Sequence, residues 1–322
     1  MFAAPAFWSR DGLIAKALSP LSAIGAAMTA RRVARPGWVA PVPVICCGNV
    51  TVGGAGKTTL VLDLAHRLAG RGVHILLRGY GGSSRGVHRV ASTDLASLVG
   101  DEALLLAQVA PTWTGADRAA SARAAIHAGA KILLMDDGLQ NPTLAKTASI
   151  LVIDGRTGFG NGRVLPAGPL REPVAAAVER CSAAVLIGPD ATGAMANLPP
   201  DLTVLRASLV QDSSITALVG QPVIAFAGIA LPEKFFSPLR QAGAVLLGAW
   251  PFPDHHAYTD LELDGLIHHA RQRKAILVTT PKDAVRLPQP IRDQVTVVGV
   301  GLKWENGREI DQLLEEVIVG TP

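Results

Sequence analysis

Residues 42–47 are an apolar, β-branched run. They lead into Gly48, Asn49, Val50, Thr51, Val52, Gly53, Gly54, Ala55, Gly56, Lys57, Thr58 and Thr59, after which residues 60–68 carry helical periodicity. A strand passing through a glycine-rich turn ending Gly-Lys-Thr and then into a helix is the phosphate-binding loop pattern, and it commits this part of the chain to an α/β sheet. Glycines let successive backbone N–H groups curl around an anion at the helix N-terminus, where the helix dipole favours negative charge. Lys57 then reaches the outer phosphates of a nucleoside triphosphate, and the Thr58 hydroxyl is placed to ligate Mg2+. Residues Thr51, Val52, Gly53, Gly54, Ala55, Gly56, Lys57, Thr58 and Thr59 are therefore the expected ATP-binding loop, with Lys57 also catalytic. One departure stands out: Thr51 replaces the first glycine of G-x-x-x-x-G-K-T.

The metal partner of such a loop sits at the end of another buried strand. Residues 131–135 run into Asp136 and Asp137, so Asp136 is expected on the ion and Asp137 on the reacting groups, although one of two adjacent acids also suits a plain turn. No Asn-Lys-x-Asp or Thr-Lys-x-Asp occurs, which leaves adenine as the default base.

Further β-rich runs at 73–77, 132–135, 150–153 and 185–187 alternate with helical stretches and imply βαβ units around a parallel sheet. A second series follows at 223–227, 245–247, 276–279 and 295–300, closed by a helix with the face Ile310, Leu313, Leu314, Val317 and Ile318. The Gly- and Pro-containing stretch 188–214 separates the series. The expected organisation is an N-terminal segment 1–35, a P-loop domain 36–205, and a smaller α/β domain 206–322 completing a cleft.

The net charge of +4 has a location: within residues 1–40, Arg10, Lys16, Arg31, Arg32 and Arg35 oppose Asp11 alone, which accounts for the whole excess. Nucleic-acid binders spread such charge along a stripe and add aromatics for stacking, whereas aromatics here are 4% of the chain. Next to Phe2, Phe7 and Trp8, the basic segment fits an anionic membrane surface better. Ile14, Leu18, Leu21, Ile24 and Met28 recur at spacings of three and four and mark one face of an amphipathic helix that Pro20 kinks or restarts. The uncharged stretch 17–30 is short for a bilayer span. Two alternatives are a helix that only packs on its own protein and a cleaved signal, the latter opposed by Asp11 and Lys16 in the would-be apolar region. Cys46, Cys47 and Cys181 suggest neither a metal pair nor a disulfide, in keeping with a reducing compartment.

Beyond the loop, the chain carries RGYGG at 78–82, VGDE at 99–102, DDGLQ at 136–140, LPAGPLREP at 165–173, AGIALPEKFF at 227–236, FPDHHAYT at 252–259 and TPKDAVRL at 280–287. In this order, with GNVTVGGAGKT at 48–58, the motifs resemble the tetraacyldisaccharide 4′-kinase family, in which the unusual Thr51 is typical. The resemblance implies transfer of the γ-phosphoryl group of ATP, with Mg2+, to the 4′-hydroxyl of a lipid-linked glucosamine disaccharide 1-phosphate at the cytoplasmic face of the bacterial inner membrane. It implies a peripheral or monotopic enzyme needing neither nucleic acid nor an obligatory protein partner. It also implies Asp101 as general base with His255 as its partner, Asp254 orienting the His255 ring, Glu172 at the metal, and Arg78, Arg118 and Arg171 on phosphates of nucleotide or lipid. Asn141 stands where members of that family carry His, so that side chain takes no catalytic role here. His268 and His269 read as ordinary surface residues of a helix begun by a Thr259/Glu262 capping box.

Two other classes use the same loop. A regulatory or assembly ATPase acting on a protein partner has no use for the DHH element, and a nucleic-acid-dependent ATPase requires basic residues beyond the first forty.

Overall fold

The computed structural model describes residues 5–320, so Phe2 lies outside the described residues. The thirteen strands are β1 Val44–Gly48, β2 Val73–Leu77, β3 His88–Arg89, β4 Thr112–Thr114, β5 Ile132–Asp136, β6 Ala148–Asp154, β7 Ala183–Ile187, β8 Thr203–Gln211, β9 Pro222–Ala227, β10 Val245–Pro251, β11 Ile276–Thr279, β12 Thr296–Val297 and β13 Val300–Trp304. Nine form one sheet in the order β13-β8-β7-β6-β1-β5-β2-β4-β3, and four form a second in the order β10-β9-β11-β12. The large sheet is parallel from β8 to β4, with antiparallel β13 and β3 at its edges. Its central strands β1, β2, β5 and β7 are buried along their whole length, which is why they read as continuous apolar runs rather than alternations.

Helix Lys57–Arg67 follows β1 and buries Leu60, Val61 and Leu64 on one face of this sheet. The expected apolar face of the last helix, Gly307–Val319, is also found there: Ile310 and Leu314 are buried in the same core. Polar contacts reinforce the placement. Arg67 Nη1 donates to Asp311 Oδ1 at 2.6 Å, Trp304 Nε1 donates to Asp63 Oδ2 at 3.0 Å, and Arg71 pairs with Glu315.

In the small, wholly parallel sheet, β9 alternates faces: Val223, Ala225 and Ala227 pack on Phe235, Phe236 and Leu239, while Ile224 and Phe226 pack on Leu263 and Leu266. Here the expected organisation needs correction. A division at 205 runs through β8, and the run expected as one strand at 295–300 is two: β12 joins the small sheet, then the chain crosses back so that β13 and the last helix lie on the large one. The crossing is made at Gly299, whose N–H donates to Asp212 Oδ2 at 2.7 Å and whose carbonyl accepts from Asp212 N at 3.0 Å. A Cβ there would stand 2.5 Å from that carboxylate oxygen, so any other residue would displace the Asp212 side chain and disturb this tie.

The N-terminal helix runs unbroken over Leu13–Val33 with Pro20 inside, not restarting there as expected, and Ser19 Oγ donates to the Ala15 carbonyl in the turn before Pro20. Among the described residues it is long and apolar enough to cross a membrane by length and composition, so the uncharged stretch understates it. Small residues face the protein. Ala15 and Ser22 are buried, Ser22 Oγ donates to Val164 O at 2.7 Å and accepts from Ala167 N at 3.1 Å, while Leu13, Ile14, Leu21, Ile24 and Met28 are exposed. Of the expected apolar face, Ile14, Leu21, Ile24 and Met28 point away from the protein and Leu18 is half-buried.

Because the last helix completes the core of the large sheet, Leu314→Ala is expected to lower unfolding free energy by about 2–5 kcal/mol, measured by urea denaturation. A loss under 0.5 kcal/mol would place that helix outside the core.

Candidate active site

The carboxyl ends of the parallel strands collect the polar groups. β1 ends at Gly48, and the loop that follows reaches helix Lys57–Arg67 through Gly56, whose φ of 85° is the left-handed conformation that glycine adopts without strain. The LPAGPLREP segment flanks this loop: Val52 N donates to Pro169 O at 2.8 Å and Arg171 N to Val50 O at 2.6 Å. Lys57 Nζ donates to Asn49 Oδ1 at 3.1 Å and lies 3.7 Å from Asp137 Oδ1. Asp137 itself, at φ 51°, accepts from Arg171 Nη1 at 2.8 and 3.0 Å.

Asp136 closes β5, where its Oδ2 accepts from Thr58 Oγ1 at 3.1 Å. Its Oδ1 is buried and has no hydrogen-bond partner. Burial, then the charges of Glu102 and Asp137, push this carboxyl up to about 7 against the opposing effects of Lys57 and Thr58. A buried carboxylate oxygen without a donor, beside a loop hydroxyl, fits a magnesium ion, which takes hard oxygen ligands and keeps several waters.

Glu172 does not fit the metal role. Its Oε1 accepts from Gln140 Nε2 at 2.9 Å, and Arg180 Nη2 donates to both oxygens at 2.8 and 2.7 Å. This buried acid orients Gln140, which in turn donates to Asn49 O at 3.0 Å, and its charge is already balanced by the Arg180 guanidinium. Arg118 is buried, donates to Gly115 O and leaves Nε unpartnered; burial lowers it to about 10, against the attraction of Asp137 and Asp136. Arg78 is exposed after β2, and its charge is felt at Arg118. Asn141 caps its own turn, accepting from Thr143 N and Thr143 Oγ1, with no reach to the reacting groups.

The second cluster joins the sheets. Asp101 starts helix Asp101–Ala107 with one oxygen accepting from Glu102 N at 2.9 Å, while the other accepts from His255 Nδ1 at 2.9 Å across 154 residues of chain. Burial pushes the Asp101 carboxyl up, but the His255 hydrogen bond and charge, then Lys282 and Arg286, outweigh it, so it titrates below the ordinary carboxylate range. His255 is raised, chiefly by the Asp101 hydrogen bond and against its own partial burial. Asp254 is 3.8 Å from His255 Nε2, so the ring is oriented by Asp101 rather than, as expected, by its chain neighbour. Sequence reasoning missed three residues here. Glu102, next to Asp101, has the largest effect on Asp136 after burial itself; Lys282 Nζ donates to Glu102 Oε1 at 2.5 Å; and Arg286 lies 3.7 Å from Asp101 Oδ2. The last two belong to TPKDAVRL, a motif quoted for resemblance but given no role.

A phosphate-binding loop with a buried aspartate at its hydroxyl, faced by an Asp–His pair whose His comes from a second α/β lobe, defines a P-loop phosphotransferase. Comparisons with known proteins narrow the class. Residues 14–319 match the family described as Tetraacyldisaccharide-1-P 4'-kinase, LpxK. Tetraacyldisaccharide 4'-kinases of Gluconacetobacter diazotrophicus and Gluconobacter oxydans are 56% and 51% identical to this chain over 97% of each sequence. The crystal structure of LpxK from Aquifex aeolicus in complex with ATP superposes with a TM-score of 0.78 at 26% identity, over 95% of this chain and all of that one. The chain belongs to the tetraacyldisaccharide 4′-kinase family, and the assembly-ATPase and nucleic-acid readings fall away.

Because Asp136 holds its proton more tightly folded than unfolded, the metal-free fold is helped below about pH 4 and loses that help as pH rises towards 7. Asp136→Asn is therefore expected to raise the thermal midpoint of metal-free protein at pH 8 and leave it nearly unchanged at pH 4, while abolishing stabilisation by added Mg2+. A midpoint shift independent of pH would contradict this assignment.

Proposed function

We propose that this protein transfers the γ-phosphoryl group of ATP to the 4′-hydroxyl of a tetraacylated glucosamine disaccharide 1-phosphate. The observation that carries the reading is the hydrogen-bonded Asp101–His255 pair together with a P-loop whose Lys57 bonds Asn49 and whose Thr58 bonds Asp136. The loop amides and Lys57 hold the β and γ phosphates, and Arg171 and Arg118 neutralise charge around them. Thr58 and Asp136 would hold magnesium, which when bound supplies charge neutralisation on the transferred group. Asp101 accepts the hydroxyl proton, kept ionised by His255, Lys282 and Arg286. Little covalent work remains for the protein, so alignment of hydroxyl, phosphorus and leaving oxygen dominates the rate.

A second division of labour has its own support, because the His255 side chain is 35% exposed and that of Asp101 only 3%. In it the imidazole meets the hydroxyl and Asp101 orients the ring. With γ-labelled ATP and the disaccharide 1-phosphate in detergent, Asp101→Asn is expected to lower kcat by at least 100-fold at nearly constant KM for ATP, and His255→Gln by less. The reverse ranking would favour imidazole as base, and undiminished label transfer by both variants would end the proposal.

The site of action in this reading is the cytoplasmic face of the inner membrane, with helix Leu13–Val33 as the contact. Support comes from the outward Leu21, Ile24 and Met28, from Arg31 and Arg32 in the last turn, and from the Ser22 bonds to the 164–167 segment. That segment continues into Arg171, which bonds the P-loop, so a lipid held along the helix stands near the phosphates. The triple change Leu21→Ser, Ile24→Ser and Met28→Ser is expected to shift the protein from sedimenting with anionic vesicles to the supernatant while sparing ATP binding. Unchanged sedimentation would show that the helix is not the contact.

A further inference from the structure

Arg286 enters the reaction above only as one of three groups that keep Asp101 ionised, yet it is among the most fully engaged side chains near the site, and only 6% exposed. Its Nε donates to Lys282 O at 2.9 Å, Nη1 to His256 O at 3.0 Å, and Nη2 to Gly228 O and Asp283 Oδ1, each at 3.0 Å. The same Gly228 carbonyl accepts from His255 N at 3.1 Å. The guanidinium thus grips the backbone on both sides of His255, which sits at φ 58°, a conformation costly for a residue with a Cβ unless its surroundings impose it. From the same position Nε stands 3.7 Å from Asp101 Oδ2, on the other lobe.

The fork is itself aimed. Asp283 is fully buried, and its Oδ1 accepts from Gly228 N at 2.9 Å and Tyr258 OH at 2.6 Å as well as from Arg286, while its Oδ2 accepts from Thr280 Oγ1 at 2.5 Å. Removing one member of such a buried network leaves charged groups unpaired.

We propose that Arg286 is a positioning residue for phosphoryl transfer: it holds His255 in its left-handed conformation against Asp101 and supplies a fixed positive charge to that carboxylate. The inference rests on the roles given above to Asp101 and His255. Lysine cannot replace it, because an ammonium offers no planar fork for two carbonyls and a carboxylate together. The charged groups facing the pair are Lys282 and Arg286 at Asp101, and Asp254 and Lys282 at His255.

The test uses the full-length protein in detergent, with two readouts: kinetics of label transfer, and titration of the His255 ring by nitrogen-detected NMR. Arg286→Lys is expected to lower kcat about 10- to 100-fold with KM for ATP within about twofold, and to return the His255 titration towards that of an ordinary imidazole. Arg286→Gln is expected, in addition, to move the acid limb of kcat to higher pH, since the cation favouring ionised Asp101 is gone. Tyr258→Phe, which keeps the ring but loses the 2.6 Å bond to Asp283, is expected to move the His255 titration the same way by a smaller amount and serves if Arg286 variants fail to fold. A wild-type His255 titration in Arg286→Lys, or in Tyr258→Phe where that is the variant that folds, would overturn the proposal, as would a kcat loss that only tracks loss of folded protein. Undiminished turnover by Asp101→Asn would instead defeat the base assignment, and the NMR titration would still decide the role of Arg286.

Discussion

The parallel register between β1 and β5, with Cys47 opposite Asp136, is the constraint from which the nucleotide site follows. Both strands are fully buried, so their polar residues can appear only where the strands end. That edge is where β1 turns into the phosphate loop and where β5 delivers a carboxylate to the Thr58 hydroxyl. A slip of one residue would turn Asp136 to the other face of the sheet and separate it from Thr58. The cost of this arrangement is a buried acid with an unpaired oxygen, which the magnesium role proposed for it would offset.

The second lobe is attached in a way that serves the chemistry. It is inserted between β8 and β13, two antiparallel neighbours at one edge of the large sheet, so the chain leaves and returns side by side. Asp212 and Gly299 tie the two passages together by backbone and side-chain bonds. The polar contacts that cross the cleft, Asp101 with His255 and Glu102 with Lys282, are short and charged. They lie at the start of helix Asp101–Ala107, so the lobe that carries His255 is held against the end of the large sheet where Asp101 stands, as the proposed proton transfer requires.

Legibility followed distance along the chain. The phosphate loop, the acids after β5, the alternating series of strands and the Thr259/Glu262 capping box are patterns within a dozen residues, and each was readable. β4 and β8 were not, since a three-residue strand and a strand with mixed burial lack a clear period. The expected strand at 295–300 was one apolar run that the fold divides between two sheets at Gly299. Pro20 predicts a kink or a restart, but the helix continues through this exposed proline without restarting.

By itself the sequence determined that this chain binds a nucleotide on a parallel α/β sheet, because glycine spacing, Lys57 and Thr58 act through local backbone geometry. Its ordered motifs likewise carried the family resemblance. Tertiary structure alone decided how the acids are partnered: Glu172 is paired with Arg180 and Gln140, while Asp136 keeps one oxygen bare. It also supplied the hydrogen bond for the Asp101–His255 pairing that the resemblance implied, and set Arg286 behind both. Such pairings depend on burial and on contacts between segments more than a hundred residues apart, and no local spacing encodes which donor will occupy a given lone pair.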